Sequence, residues 1–204
     1  MKLFFIKIRA WQLALLLALI YLVPLTIGFN WIYTVDRAGG TDFGARSIIY
    51  FFRAIGVMAI VISIVLFLWK WSLGHYLYEL LPDKEEVNFK MFRLSLLINL
   101  AVGIIWGLLF LTGLVVVLLF ATGDTPYLFF LLIFLYVLIR FLFIRANIFP
   151  YLAAKAVLQN LPYRAITLSL TFIGFVRMIE LQTDVNEIYS KFGMSGKADQ
   201  ETIL

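Results

Sequence analysis

The stretch from Leu94 to Ala121 constrains the fold more than any other part of this sequence, because it contains no charged side chain. As a helix rising 1.5 Å per residue it would be roughly 42 Å long, which exceeds the roughly 30 Å hydrocarbon core of a bilayer. A soluble domain does not need an uninterrupted apolar helix of that length. The stretch therefore predicts a transmembrane helix that is tilted or protrudes from the bilayer.

The composition of the whole chain agrees with a membrane location. Hydrophobic residues make up 63% and charged residues 14% of the 204 residues, whereas soluble domains average about 45–50% and about 25%. No hydrophilic stretch is long enough to build a soluble core. We expect an all-α polytopic membrane protein with a single domain over residues 1–194, followed by a polar, disordered tail at 195–204.

Four apolar stretches have the length of transmembrane helices, at about residues 11–33, 46–69, 94–121 and 128–148. The first follows a basic start, as in a signal peptide, but its apolar run is too long for one and is expected to be retained. Pro24 should kink the first helix, and Pro150 should break or kink the last.

Two shorter segments, at about residues 72–81 and 165–176, are predicted to be amphipathic helices in the cytoplasmic interface. The second is only long enough for roughly 18 Å of helix, so a fifth span is the less favoured alternative. Each half of the chain also has a Leu-Pro pair after its second span, at Leu81-Pro82 and Leu161-Pro162. A parallel duplication of a helical hairpin is one interpretation.

The positions of Lys and Arg predict the topology. With four spans, the outer connections hold only Arg37 and, at a helix end, Arg46. The inner segments hold Lys2, Lys7, Arg9, Lys70, Lys84, Lys90, Arg93, Arg145, Lys155, Arg164, Arg177, Lys191 and Lys197. This asymmetry follows the positive-inside rule and predicts that both termini are cytoplasmic. It also accounts for the net charge of +5 without a nucleic-acid partner.

Charged side chains inside the spans are the first candidates for a functional site, and they are all arginines. The spans contain no Asp or Glu, so they lack the carboxylates that a proton relay or a sodium site would need. Arg53 and Arg140 can snorkel to the headgroups, or they can pair with carbonyls. Together with Arg145, they are also candidates to pair with an anionic lipid or with a carboxylate of a partner subunit. The basic inner rim is also expected to attract anionic lipid headgroups.

Small residues predict where helices pack closely. Gly56, Ala59 and Ser63 fall on one face of the second span, and Gly103 and Gly107 form a GxxxG pair in the third. Because lipid provides no hydrophobic drive between helices, close van der Waals contact must hold them together. We expect the GxxxG pair to pack against the face of the second span.

Catalytic and metal-binding constellations are not evident. The chain has no cysteine and a single histidine, His75, so thiolate metal sites and bis-histidine haem are excluded. His75 and Glu79 form the only polar pair of catalytic type at an interface, and such a pair is more often a solvated helix face. We expect no cofactor and no metal.

The segments KWSLGHYLYELLPDKEEVNFKMFR (70–93) and LQTDVNEIYSKF (181–192) resemble those of uncharacterised bacterial four-span integral membrane proteins. The resemblance covers most of the chain and implies the fold and a location in a bacterial inner (plasma) membrane, but no activity. The expected function is that of a non-catalytic accessory or scaffold subunit, in contact with lipids and other membrane subunits. The alternatives are a small-molecule or lipid transporter or channel component, and a lipid-handling enzyme.

Overall fold

The computed structural model describes residues 2–37, 43–112, 125–142, 144–166 and 174–193, and no strand occurs among them. The all-helical prediction is therefore confirmed for these residues. The α-helices are α1 (Lys2–Lys7), α2 (Ala10–Arg37), α3 (Phe43–Leu80), α4 (Phe89–Leu111), α5 (Thr125–Leu142), α6 (Ile144–Gln159) and α7 (Gly174–Phe192). Short 3-10 turns lie at Lys84–Glu86 and Tyr163–Ala165.

Three of the described helices are long and apolar enough to cross a membrane, at Ala10–Asn30, Ile49–Leu80 and Phe89–Leu111. A shorter apolar helix, Phe130–Ile139, lies within α5. These helices are what a membrane protein requires, because a helix satisfies all its backbone hydrogen bonds within one segment.

The segment 72–81, expected as a separate interfacial helix, is instead the last part of the 38-residue helix α3. Trp69, Leu73 and Leu77 follow one another at intervals of four residues and are all fully buried. The same face therefore continues through this region, and α3 stops only before Pro82. Such a helix is about 57 Å long, which is longer than a bilayer needs.

The other predicted segments differ less from the helices of the structure. α4 covers the described part of the predicted 94–121 span, whose residues 113–121 lie outside the described residues, as do 167–173 of the predicted interfacial helix and the tail. The predicted 128–148 span corresponds to α5 and the start of α6, with residue 143 not described. Pro24 lies inside α2 and Pro150 inside α6, so neither proline ends its helix.

Local side chains explain several helix ends. Gln12 Oε1 accepts a hydrogen bond from the backbone N–H of Arg9, and Asn88 Oδ1 accepts one from Met91 N–H, which caps the starts of α2 and α4. α6 ends at Gln159, and the next residue, Asn160, has a left-handed φ of 52°, while the Leu161 N–H donates a hydrogen bond to Ala156 O. This is a Schellman arrangement.

The chain divides into two compact units by its internal contacts. Unit 1 comprises Met1–Leu15, Leu68–Leu96 and Arg145–Leu204, and unit 2 comprises Leu16–Phe67 and Leu97–Ile144. The chain therefore passes between the units four times, within α2, α3 and α4 and near the start of α6.

Unit 1 has a core of buried side chains from six helices: α1, α2, α3, α4, α6 and α7. α3 contributes its buried stripe from Trp69 to Leu77, and Gly74 on the same helix leaves room for the Phe92 ring, which a Cβ at that position would strike. The other fully or almost fully buried apolar side chains of this core are Leu13, Leu81, Leu96, Phe149, Ala153, Ala154, Ala156, Leu181, Val185 and Ile188.

The two Leu-Pro turns of unit 1 meet. The Tyr163 N–H donates a 2.8 Å hydrogen bond to Asp83 Oδ2, so the turn after α3 is tied to the turn after α6. Each turn follows the end of its helix and contains a 3-10 segment.

Unit 2 presents many apolar side chains to its surroundings. In α5, Phe130, Phe134 and Val137 are each more than half exposed, and Leu131 on another face is 51% exposed. Only a hydrocarbon solvent or another protein surface accommodates so much contiguous apolar area. Within the unit, the Phe52 and Phe110 rings stack with centroids 5.7 Å apart.

Candidate functional site

Gln182, which is fully buried on α7 in unit 1, forms hydrogen bonds to four other residues. Its Oε1 accepts a 2.7 Å hydrogen bond from Trp69 Nε1. Its Nε2 donates to the carbonyls of Phe5 at 3.1 Å and Ile8 at 2.9 Å, and to Asn186 Oδ1 at 3.2 Å. Two amide hydrogens are thus shared among three acceptors.

The contacts of Gln182 join three separate segments of the chain. The Phe5 and Ile8 carbonyls belong to the last turn of α1 and the residue just beyond it, where a helix leaves carbonyls unpaired. Trp69 belongs to α3, and its indole N–H would otherwise be buried without an acceptor. Because every group in this network has a partner, it fixes the N-terminal segment against α3 and α7.

Further polar pairs link the same segments. Ser95 Oγ donates to Asn147 Oδ1 at 3.0 Å, which joins α4 to α6. Lys155 Nζ lies 2.9 Å from Asp184 Oδ2 and 3.1 Å from Oδ1, which joins α6 to α7. Each pair satisfies polar groups that packing has partly removed from water.

A second cluster contains the only histidine. His75 Nδ1 lies 3.0 Å from the Trp71 carbonyl, and His75 Nε2 lies 3.0 Å from Arg93 Nη2. A carbonyl can only accept and a guanidinium can only donate, so Nδ1 carries the proton and Nε2 accepts. Glu79, which the sequence places one turn after His75, forms an ion pair of 3.3 Å with Lys84.

Aromatic rings surround the Arg93 guanidinium. Its Cζ lies 4.7 Å from the Phe89 ring centroid and 5.6 Å from that of Trp71, within the range of cation–π attraction. The Tyr78 ring stacks on Phe89 with centroids 4.3 Å apart. The guanidinium is therefore held by two rings and one histidine nitrogen.

Tyr151 on α6 is a titratable group outside the apolar spans. Burial raises the pKa of Tyr151 to about 12, although the positive charge of Arg177 acts in the opposite direction. Arg177 itself forms an ion pair of 3.0 Å with Glu180. The phenol is therefore neutral at physiological pH.

The arginines predicted as intramembrane sites are not brought together by the described contacts. Arg53 is exposed, and its guanidinium lies 5.9 Å from the Tyr50 ring centroid on its own helix. The side chains of Arg140 and Arg145 lie outside the described part of the structure, which places only their backbones in α5 and α6.

The predicted small residues of unit 2 lie where α3 and α4 approach most closely. A Cβ at Gly56 would be 2.6 Å from Gly107 O and 2.7 Å from Leu111 N. A Cβ at Gly107 would be 2.9 Å from Gly56 O and would strike the Ile60 side chain. At Gly103 it would strike Ser63 Oγ.

The hydroxyl of Ser63 donates a 2.7 Å bond to the carbonyl of Ala59, so it needs no partner on α4. Ala59 therefore contributes to this face through its backbone carbonyl, which accepts the Ser63 hydroxyl. The geometry of this face is that of two helices in backbone contact, and substitutions at the glycines test whether the GxxxG pair holds the bundle together.

Sequence reasoning did not single out Gln182, Trp69 or Asn147 as members of polar networks. One signal was available for Gln182, because it follows Leu181 and precedes Val185 and Ile188, which occupy the buried stripe of an amphipathic helix. A polar residue inside such a stripe must find a buried partner.

The described residues contain no group of three or more His, Cys, Asp or Glu side chains that could hold a metal ion. An open groove of about 470 Å³ lies beside Thr26, Phe29, Asn30 and Tyr33 on α2. These lining residues all belong to one helix and offer no charged group. Comparison with known protein families, curated proteins and solved structures finds no match for this chain.

Proposed function

We propose that this chain is a four-span integral membrane protein of a bacterial inner membrane, with both termini in the cytoplasm. We propose further that it acts without catalysis, as an accessory or scaffold subunit of a larger membrane complex. In this topology, residues 16–67 and 97–144 are two hairpins that cross the bilayer, and the three segments of unit 1 are cytoplasmic.

One observation carries this proposal: the division of the chain by contacts agrees with its division by charge. All Lys and Arg residues fall in unit 1 except Arg37, Arg46, Arg53 and Arg140. The contacts that define the units do not depend on charge, yet they gather the basic segments together, as the positive-inside rule requires of cytoplasmic segments.

The use of polar groups in unit 1 supports a non-catalytic role. Gln182, Ser95 and Lys155 each join segments that are far apart in the sequence. A scaffold needs a fixed shape, and satisfied buried networks supply one. His75 is likewise engaged on both ring nitrogens, which does not favour proton transfer to a substrate.

The exposed surface of α5 supports a role in assembly. Its aromatic and aliphatic side chains are exposed on more than one face, so lipid can cover one face while another subunit covers the other. Transmembrane helices associate by van der Waals packing of such surfaces.

Quantitative purification tests the proposal. The tagged chain is extracted from native membranes in a mild detergent, with an untagged strain as the control for nonspecific capture. We expect membrane proteins at a constant molar ratio in independent preparations, and a fall in their abundance when the chain is deleted. A chain that purifies alone, and that forms no cross-links to other proteins within intact membranes, would contradict a subunit role.

A further inference from the structure

Arg93 differs from four other basic residues of unit 1, because its charge is held in place without a carboxylate partner among the described residues. Lys84, Lys155, Arg177 and Lys191 each form an ion pair with a carboxylate. Arg93 forms none with any carboxylate of the described residues. Its contacts there are His75 Nε2 and two aromatic rings.

The fixed guanidinium keeps most of its donors available. Arginine carries five N–H donors in a planar fork, and the contact with His75 uses one nitrogen. The His75 ring is in turn oriented by the Trp71 carbonyl, and the Phe89 ring beneath the guanidinium is 8% exposed. The side chain itself is exposed to solvent, so an anion can approach the remaining N–H groups.

A second cation lies close by on the same helix. Lys90 is exposed, lies three residues before Arg93 in α4, and forms no ion pair with the described residues. Residues three apart on a helix are neighbours on its surface. A phosphate group that binds the planar guanidinium of Arg93 can therefore also form an ion pair with the Lys90 ammonium.

The position of Arg93 along α4 indicates that the phosphate belongs to a lipid headgroup. After Arg93 the helix contains no charged residue through Leu111, and Leu94 beside it is 45% exposed. In a helix that enters a bilayer, the last charged residue lies at the level of the lipid headgroups. Trp71 is of the residue type that prefers this level.

We infer that Arg93, oriented by His75, Trp71 and Phe89 and assisted by Lys90, binds the phosphate of an anionic phospholipid at the cytoplasmic interface. The inference rests on the proposed membrane topology. A planar fork on an oriented stem recognises a phosphate with fixed geometry, whereas a mobile lysine provides only a point charge. The site therefore requires arginine and not merely a positive charge.

Lipid retention tests this inference. The full chain is reconstituted in nanodiscs containing equal amounts of phosphatidylglycerol and phosphatidylcholine, released into detergent, and analysed by native mass spectrometry for each retained lipid. We expect phosphatidylglycerol to be preferred. Arg93→Gln should reduce that preference about fivefold, because a basic residue near an anionic surface contributes roughly this factor. Lys84→Gln is the matched control, since it removes the same charge from an exposed residue that already has a partner.

Arg93→Lys separates a built site from diffuse attraction. The lysine retains the charge but loses the planar guanidinium and much of the stacking on Phe89 and Trp71. We therefore expect most of the preference for phosphatidylglycerol to be lost. If Arg93→Lys behaves as the wild type, or if Lys84→Gln reduces retention as much as Arg93→Gln, the inference is wrong. Thermal unfolding of each variant in phosphatidylcholine alone verifies that the fold is intact.

Soluble phosphate is the competing source. Millimolar inorganic phosphate should neither displace phosphatidylglycerol nor raise the melting temperature in phosphatidylcholine, and either effect would overturn the assignment to lipid. A chain that does not insert into bilayers at all refutes the proposed membrane topology. A chain that inserts and retains both lipids equally refutes only this inference.

Discussion

The indole Nε1 of Trp69 donates a 2.7 Å hydrogen bond to Oε1 of Gln182, although the two residues are 113 positions apart in the sequence. Both side chains are fully buried. The same glutamine binds two carbonyls near the end of α1. One side chain therefore joins the N-terminal segment to α3 and α7 within unit 1.

Gln182→Leu should destabilise unit 1 and release its N-terminal segment. The leucine has a similar volume but leaves the Trp69 N–H and two carbonyls without partners, and each buried unsatisfied group costs about 1–3 kcal/mol. We expect a lower melting temperature in detergent and faster trypsin cleavage after Lys7 and Arg9. Gln159→Leu, at an exposed glutamine, is the control. Unchanged cleavage would show that the network does not hold the N-terminal segment.

Alanine substitutions at the glycines of unit 2 should destabilise the protein to different extents. Gly56→Ala places its Cβ against backbone atoms, at 2.6 Å from Gly107 O, which cannot move aside. Gly103→Ala meets Ser63, whose Oγ can rotate away but whose Cβ, 2.7 Å from the new methyl group, requires a small shift of the helix. Overpacking costs typically about 1–3 kcal/mol, and we expect Gly56→Ala to fall at the upper end and Gly103→Ala at the lower end.

A second substitution makes this ranking testable. Ser63→Gly removes the atoms that a Cβ at Gly103 would strike, so it should restore the melting temperature of Gly103→Ala but not that of Gly56→Ala. Ala101→Val, at an exposed position of α4, should have little effect. If all the substitutions prove neutral, the helices do not rely on this close approach.

The stability of unit 1 should fall at alkaline pH partly through Tyr151. Its pKa is about 12 in the folded protein and about 10 in an unfolded chain. The neutral phenol is favoured by folding, so its contribution is complete below pH 10 and is lost as the pH rises from 10 towards 12. Tyr151→Phe should show a shallower decline in melting temperature between pH 9 and pH 11. Parallel declines for both proteins would contradict this account.

Single cysteines should report both termini in the cytoplasm. The chain has no cysteine, so substitutions at Gly40, Asp124, Gln159 and Ala198 can be labelled one at a time in intact cells. An impermeant maleimide should reach positions 40 and 124 from outside, and positions 159 and 198 only after the membrane is permeabilised. External labelling at position 198 alone would indicate a fifth span, and external labelling at position 159 would refute the cytoplasmic location of α6.

Hydrophobicity along the chain was sufficient to predict the helical class and the main apolar helices. The predicted segments at 11–33 and 46–69 lie within α2 and α3. This succeeds because the transfer of a helix into hydrocarbon is favoured by its own side chains, largely independently of their neighbours. The small residues of unit 2 could be named for a similar reason, since their spacing on one helix face is a local property.

The polar networks of unit 1 could not be located in this way. Whether Gln182 faces Trp69 depends on how α1, α3 and α7 pack, and no local pattern encodes that meeting. The continuation of α3 through residues 72–81 was missed for the same reason, because it depends on how the helices pack. Amphipathic spacing predicts one buried face, but only tertiary packing decides whether that face lies on lipid or on other helices.

The sequence by itself determined the apolar helices, their helical class and the asymmetry of basic charge, because these follow from side-chain solvation summed along single segments. Tertiary structure alone decided which polar side chains meet. Arg93 comes to lie between Phe89 and Trp71 with His75 as its acceptor because the turn at residues 81–88 brings the end of α3 beside the start of α4. Such a contact depends on distances between segments, and linear spacing does not specify them.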